Sequence, residues 1–140
     1  MTAGGAGQGD DDSGDSLLVE PDELLYRQVH PAFVDNGIPS AQAFTPTKKD
    51  GGKLSIARGR LTAAEGAYIH HTSVLELESA GSWGTTVAEV NGSELQAFGE
   101  PIIRSPAHGF IDFRDLGRGP AEKKAKLLLA HANARGRLHP

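Results

Sequence analysis

The sequence predicts an α+β domain in which two helices pack on one face of a small mixed β-sheet. Three observations support this class. Short runs rich in β-branched and aromatic residues are bounded by glycines, which is typical of strands. Two longer segments carry apolar residues at helical spacing. The predicted order of strand, helix, strand, strand, helix differs from the strict alternation of a parallel α/β fold.

Length and composition limit the chain to one domain. A chain of 140 residues can bury one core but is too short for two ordinary domains. No apolar run approaches the roughly 18 residues that cross a bilayer, and the N-terminus lacks a secretory signal. The absence of cysteine excludes disulfides, thiolate catalysis and cysteine-rich zinc sites. We therefore expect a cytoplasmic protein that does not contact a membrane.

Charge is distributed unevenly along the chain. Residues 1–23 hold seven acidic and no basic residues, whereas residues 114–140 hold seven basic and two acidic ones. The Gly- and Asp-rich start has too few apolar side chains to offset ordering entropy. We predict a disordered acidic tail over 1–23 and one domain over 24–140. The net charge of −4 argues against a dedicated nucleic-acid binder, and the basic end can equally attract the acidic tail.

The first half of the domain predicts one strand and one helix. Residues 30–53 contain three prolines and three glycines, so we expect irregular chain with short extended pieces. Residues 54–59 read as a short strand that ends at glycine. Thr62 and Glu65 have the spacing of a capping box, which predicts a helix over about 63–77.

The second half predicts two strands and the best-defined helix. Residues 85–90 are rich in Thr and Val and indicate a strand. Residues 109–113 carry large apolar groups on both faces, as a covered central strand does. The last helix has Pro120 at its start and Gly136 just past its end. Proline is favoured in the first turn of a helix and glycine just after its last turn. Its apolar stripe consists of Ala121, Ala125, Leu128, Leu129 and Ala132.

Two adjacent histidines, His70 and His71, are the first candidates for chemistry. Adjacent side chains on a helix point about 100° apart, so the two rings seldom reach one metal ion. The i, i+4 spacing of helical zinc sites is absent. We therefore predict no metal site. We expect His71 to lie on the core stripe, and His70 at the flank, where an acid–base role stays open.

Other candidate residues are scattered along the chain. His108 and Asp112 share a face of the predicted strand but lie about 13 Å apart, too far for a hydrogen bond. The layout around Arg27, His30, Ser55 and Tyr68 is similar to small ADP-ribosyltransferases, which act on NAD. For Arg27, a structural role bridging the loop and a strand is the alternative. If the protein is an enzyme, the candidate catalytic residues are Arg27, His30, His70 and His108.

Several stretches of residues 24–140 resemble a family of small bacterial proteins with no known activity. They are "LLYRQVHPAFV", "SAQAF" with "KD" and "LS" downstream, "ESAGSWGTTVAE", "HGFIDF" and "EKKAK" with a later "ARG". The resemblance implies a bacterial origin and no particular function. The relatives carry His-Tyr-Thr where this chain has His70, His71 and Thr72.

These observations favour a small non-enzymatic interaction domain, such as an accessory, adaptor or inhibitor subunit, with an unknown protein partner and no cofactor. The sequence shows no clustered catalytic motif, no phosphate-binding loop and no nucleophile elbow. A small NAD- or nucleotide-acting enzyme is the alternative, and a nucleic-acid-binding module comes third. The predicted contact surface combines the 30–53 loop with basic side chains near the last helix: Arg114, Arg118, Lys123, Lys124 and Lys126.

Overall fold

The computed structural model describes residues 15–140, which form eight strands, three α-helices, one π-helix and three short 3-10 turns. The acidic stretch 1–14 lies outside the described residues. In chain order the elements are β1 (Ser16–Leu17), β2 (Leu24–Gln28), β3 (Val34–Asp35), β4 (Ile38–Pro39), β5 (Lys53–Arg58), α1 (Ala64–Ile69), the π-helix (His70–Val74), β6 (Ser82–Thr86), α2 (Val87–Gly92), β7 (Gln96–Gly99), β8 (His108–Asp112) and α3 (Arg118–Arg135).

Six strands form the main sheet in the order β1-β7-β8-β5-β2-β6, while β3 and β4 form a separate hairpin. Every strand pair in residues 15–140 is antiparallel, so the predicted mixed sheet is antiparallel instead. The α+β class is confirmed. The strands predicted over 54–59 and 109–113 correspond to β5 and β8.

The two faces of the sheet have different coverings. Leu25, Leu54 and Ile111 point to one face and join the core beneath α3. The alternate positions, such as Tyr26 and Ser55, point to the other face, which we call the open face. Helix α1 lies over this second face, where Ser82 Oγ donates to the Ala64 carbonyl at 3.1 Å. The two predicted helices therefore lie on opposite faces rather than on one.

The last helix is confirmed. Ala125, Leu128 and Ala132 of α3 are fully buried and pack against the sheet, as the apolar stripe predicts. The 3-10 turn Ala41–Phe44 packs on the same helix, with Ala43 and Phe44 buried. A part of the 30–53 loop is thus core, because it covers α3.

Two local predictions are wrong. Helix α1 ends at Ile69 and begins without a side-chain cap, so Thr62 and Glu65 form no capping box. The capping box is instead at Thr86 and Glu89, where each side chain bonds the other's main-chain N–H. It starts α2 inside the stretch 85–90 that was predicted as a strand. The strand prediction rests on the β-branched residues of this stretch. Thr86 and Glu89 nevertheless have the spacing of a capping box, which indicates the start of a helix.

The domain begins earlier than the predicted boundary at residue 24. β1 pairs with β7, Leu18 is buried, and the Glu23 side chain is almost fully enclosed. A few apolar side chains at the end of an acidic segment are enough to add an edge strand. None of the helices in residues 15–140 is long and apolar enough to cross a membrane.

Candidate functional site

A cleft of about 610 Å³ opens on the open face of the sheet. Its floor is formed by residues 26–28 of β2 and 55–57 of β5. One wall is α1 with the π-helix, and the opposite wall is the loop over 102–107 that leads into β8. The antiparallel order β8-β5-β2 is what brings these segments together.

The charged and titratable groups of the cleft are basic. The lining includes Arg27, Arg104 and three histidines (His70, His71 and His108), and no Asp or Glu of residues 15–140 lines it. This contrasts with the net charge of the chain, which is −4. The described residues hold no cluster of three His, Asp or Glu side chains suited to a metal ion. The cleft is therefore suited to an anionic group rather than to a cation.

Arg27 fixes the floor of the cleft. Its Nε donates to the Ala43 carbonyl at 2.8 Å and its Nη1 donates to the Ser55 carbonyl at 2.9 Å. Burial lowers the pKa of the guanidinium to about 10, and the Asp50 carboxylate opposes this shift. Arg27 thus remains protonated at neutral pH. It bridges the loop and β5, as the structural alternative for this residue predicted, and also lines the cleft.

Replacing Arg27 tests this bridging role. Arg27→Met removes both hydrogen bonds and leaves two main-chain carbonyls without their donor. We expect the free energy of unfolding in urea at pH 7 to fall by about 2 kcal/mol, since hydrogen bonds to charged groups contribute about 1.5–3 kcal/mol. Arg27→Lys keeps the charge but cannot span both carbonyls, so an intermediate loss is expected. Equal stability of Arg27→Met and the native chain would contradict the role.

His70 ties the two walls of the cleft together. Its Nε2 contacts the Arg104 carbonyl at 2.5 Å and lies 3.5 Å from Ser105 Oγ. Arg104 in turn donates from Nη2 to the Val74 carbonyl at 2.9 Å. His70 is therefore half-buried and engaged in holding the 102–107 loop against the π-helix, rather than at an open flank.

His71 lines the same cleft and is not a core residue. It is half-buried, and burial lowers the pKa of its imidazole. The buried residue of α1 is Ala67. The predicted stripe fails because the chain continues as a π-helix, in which Leu75 N–H donates to the His70 carbonyl five residues back. A π-helix has more residues per turn than an α-helix, so adjacent side chains diverge less, and this arrangement is frequent at functional sites.

His108 is the histidine with the most defined surroundings. Its Nε2 lies 3.3 Å from the Ser55 hydroxyl, and its Nδ1 lies 3.1 Å from the main-chain carbonyl of Glu100. The Glu100 carboxylate is 3.4 Å from the same Nδ1 and is held by Lys53 at 2.9 Å. Asp112, the carboxylate considered as a partner for His108, instead bonds Arg114, and these contacts lower the Asp112 pKa against the effect of burial.

Two of the proposed site residues lie away from the cleft. His30 Nδ1 accepts from the Ala32 N–H at the start of a 3-10 turn, and its Nε2 lies 3.0 Å from Glu78. Tyr68 packs edge-on against the His139 ring. Neither residue lines the cleft, so only Arg27 and Ser55 of the ADP-ribosyltransferase-like set meet there.

The basic residues near the last helix are mostly paired with carboxylates. Arg114 bonds Asp112 and lies over the Phe110 ring, and Arg118 bonds Glu122 at 3.2 Å. Lys124 donates to the Glu94 main-chain carbonyl at 3.0 Å and lies 3.9 Å from the Glu94 carboxylate. Lys123 and Lys126 are exposed on α3. None of these five residues lines the cleft.

Exposed apolar side chains surround the cleft, and sequence reasoning missed them. Ile103 is 91% exposed, although isoleucine is usually buried. The other large apolar side chains that are both exposed and part of the lining are Leu61, Leu75, Leu77 and Ile102. The signal for them in the sequence is the adjacent pair Ile102 and Ile103. In the structure this pair begins a tight turn that closes with an Ile102–Ser105 bridge.

Comparisons with known proteins indicate neither a family nor a function for this chain. No protein-family model, no curated protein and no solved structure matches this chain. The chemistry of the site is therefore inferred from its geometry.

Proposed function

We propose that the protein binds and acts on a small molecule that joins an apolar body to an anionic group. The observation that carries this proposal is the composition of the cleft. Arg104 and three histidines line it without any acidic residue of the described chain, in a protein whose net charge is −4. Arg27 lies in its floor with the guanidinium bonded to the Ala43 and Ser55 carbonyls. Such a site attracts anions and repels cations.

The apolar lining indicates the rest of the ligand. Leu61, Leu75, Leu77, Ile102 and Ile103 offer apolar surface at the mouth of the cleft. Burial of apolar ligand surface there contributes about 0.8 kcal/mol per CH₂ group. A volume of about 610 Å³ suits a small molecule, since such sites measure about 300–1,000 Å³. A carboxylate or phosphate on an acyl or ring body matches both features.

His108 supports an enzyme rather than a carrier. An imidazole beside a hydroxyl, with its second nitrogen hydrogen-bonded to a carbonyl, is positioned for proton transfer. The earlier alternative of a nucleotide-acting enzyme falls within this substrate class. It has less support than an acyl substrate, because His30 and Tyr68 lie outside the cleft.

Titration of the full chain with decanoate, decanol and AMP, followed by calorimetry, tests the proposal. Decanoate and decanol share one apolar body, so the charge is the only large difference between them. We expect decanoate to bind at least about tenfold more tightly than decanol. Equal affinities would contradict the role of the basic groups, and tighter binding of AMP would identify a nucleotide as the better ligand.

A matched pair of variants locates the binding. Ile103→Ser removes an apolar side chain from the cleft mouth, and Ile38→Ser removes one that is 59% exposed on the β3–β4 hairpin. We expect Ile103→Ser to weaken decanoate binding severalfold and Ile38→Ser to leave it unchanged. Equal effects of the two substitutions would place the binding elsewhere.

The exposed apolar side chains also favour a second candidate, an interaction domain whose partner inserts an apolar segment into the cleft. Affinity purification from the native cell tests it with the same variant. Recovery of a stoichiometric partner by the native chain, and its loss with Ile103→Ser, would support this function. Failure to recover such a partner would count against it.

A further inference from the structure

We propose that Ser55 is a nucleophile, activated by His108 and positioned with help from Glu100, that hydrolyses carboxylic esters with an apolar acyl group. This inference rests on the proposed function for the class of acyl group, but the nucleophile is argued from its own contacts. Ser55 is 53 positions from His108 in the sequence, and neither lies in a known nucleophile motif.

Strand register brings the serine and histidine together. In the β5–β8 ladder, Ser55 is opposite Phe110 and Ala57 is opposite His108. Ser55 and His108 are therefore diagonal neighbours on the open face, within reach of each other. The distance from Ser55 Oγ to His108 Nε2 is 3.3 Å. The Ser55 side chain is exposed in the cleft, where a substrate can reach it.

Hydrogen bonding assigns the proton on His108. The Glu100 main-chain carbonyl, 3.1 Å from Nδ1, can only accept, so Nδ1 carries the hydrogen. Nε2 then provides the lone pair that accepts from the Ser55 hydroxyl. This is the tautomer that a general base requires.

Glu100 is a positioning residue for His108. Its carboxylate lies 3.4 Å from Nδ1 and is anchored by Lys53 at 2.9 Å. The Glu100 N–H also donates to the His108 carbonyl at 2.9 Å, which holds the two residues opposite each other. A carboxylate at this position stabilises the imidazolium that forms when His108 accepts a proton.

The reaction balances without a cofactor. Ser55 Oγ forms a bond to the ester carbonyl carbon while its proton moves to His108 Nε2. The bond from that carbon to the ester oxygen breaks, and the alcohol leaves with the proton from His108. Water then attacks the acyl-serine, gives its proton to His108 and releases the carboxylic acid as Ser55 is restored. The product is an apolar carboxylate, which belongs to the ligand class proposed for the cleft.

The test uses the full chain with an alkyl fluorophosphonate and with p-nitrophenyl octanoate. We expect one phosphonate adduct per chain, mapped to Ser55 by mass spectrometry, and release of p-nitrophenol. Ser55→Ala and His108→Gln should each abolish the adduct and lower the hydrolysis rate at least about 100-fold, since general-base catalysis contributes about 10²–10⁴-fold. Circular dichroism of both variants verifies that they fold.

Ser73 provides the matched control, because it is an exposed serine, as Ser55 is, but does not line the cleft. Ser73→Ala should keep both the adduct and the hydrolysis. Glu100→Gln should slow hydrolysis and move its rate–pH profile to lower pH, a shift that a purely structural role would not produce. An adduct on Ser105, or a folded native chain with no adduct, would overturn the inference.

The two proposals fail separately. Decanoate binding without a Ser55 adduct would support the proposed ligand-binding cleft and contradict the proposal that Ser55 is a nucleophile. A Ser55 adduct in a protein that binds decanoate and decanol equally would support Ser55 as a nucleophile and contradict the proposed anion-binding function.

Discussion

Replacing Arg58 with Met should destabilise the protein by about 3–5 kcal/mol, measured by urea unfolding at pH 7. Arg58 forms two hydrogen bonds with Glu23, at 2.9 and 3.1 Å. The Glu23 side chain is only 1% exposed, so the substitution leaves an enclosed carboxylate without its main partner. Breaking one side of a buried ion pair costs this much because the remaining charge stays desolvated.

Arg60 is the matched control for this prediction. It lies two residues further on and bonds Glu20 at 2.9 Å, and both of these side chains are about half exposed. Its Nε is also near Glu23, but at 4.0 Å, which is beyond hydrogen-bonding distance. Arg60→Met should cost less than about 1 kcal/mol, as is usual for exposed ion pairs. Adding Glu23→Met to Arg58→Met should restore much of the lost stability, because the unpaired charge is removed. Similar losses for Arg58→Met and Arg60→Met would contradict the argument.

Replacing Leu128 with Ala should lower the free energy of unfolding by about 2–5 kcal/mol. Leu128 is a residue of α3, and its side chain is fully buried in the core. The shorter alanine side chain therefore leaves a cavity there. Leu127, the preceding residue of the same helix, is 42% exposed. Leu127→Ala should change the stability by no more than about 0.5 kcal/mol, because exposed substitutions usually have small effects.

The comparison of the two leucines tests the face of α3 directly. Both variants change the same residue type to alanine, which favours helix formation, so local propensity differs little between them. Only burial separates them. A larger loss for Leu127→Ala than for Leu128→Ala would show that the helix presents another face to the sheet.

Predictions from local patterns succeeded where the pattern of one segment is sufficient to specify its secondary structure. The apolar stripe of α3 is confirmed, because burial of one helix face imposes a period on the sequence. The strands predicted over 54–59 and 109–113 are confirmed as β5 and β8. The strand predicted over 85–90 failed where two local patterns compete. The helix predicted over 63–77 is present as α1 and the π-helix, but without the predicted capping box and core stripe. The Thr86–Glu89 capping box gave the helix start, and the π-helix disrupted the expected stripe through His71.

The candidate site was only partly predictable. His70, His108 and Arg27 were candidates from the sequence, and all three line the cleft. Their common location could not be foreseen, since the hydrogen bond between His108 and Ser55 spans 53 positions and that between Arg27 and Ser55 spans 28. The carboxylate nearest to His108 is Glu100 rather than Asp112, because a turn between β7 and β8 brings Glu100 back beside it.

By itself, the sequence determined that residues after the acidic start fold as an α+β domain with a helix near the C-terminus. It could do so because helix and strand periods record which side chains must leave water. The tertiary structure alone decided that His70, His71 and His108 share one cleft with Arg27 and Ser55. Strand order and register control that convergence, and they depend on the packing of the whole chain rather than on any one segment.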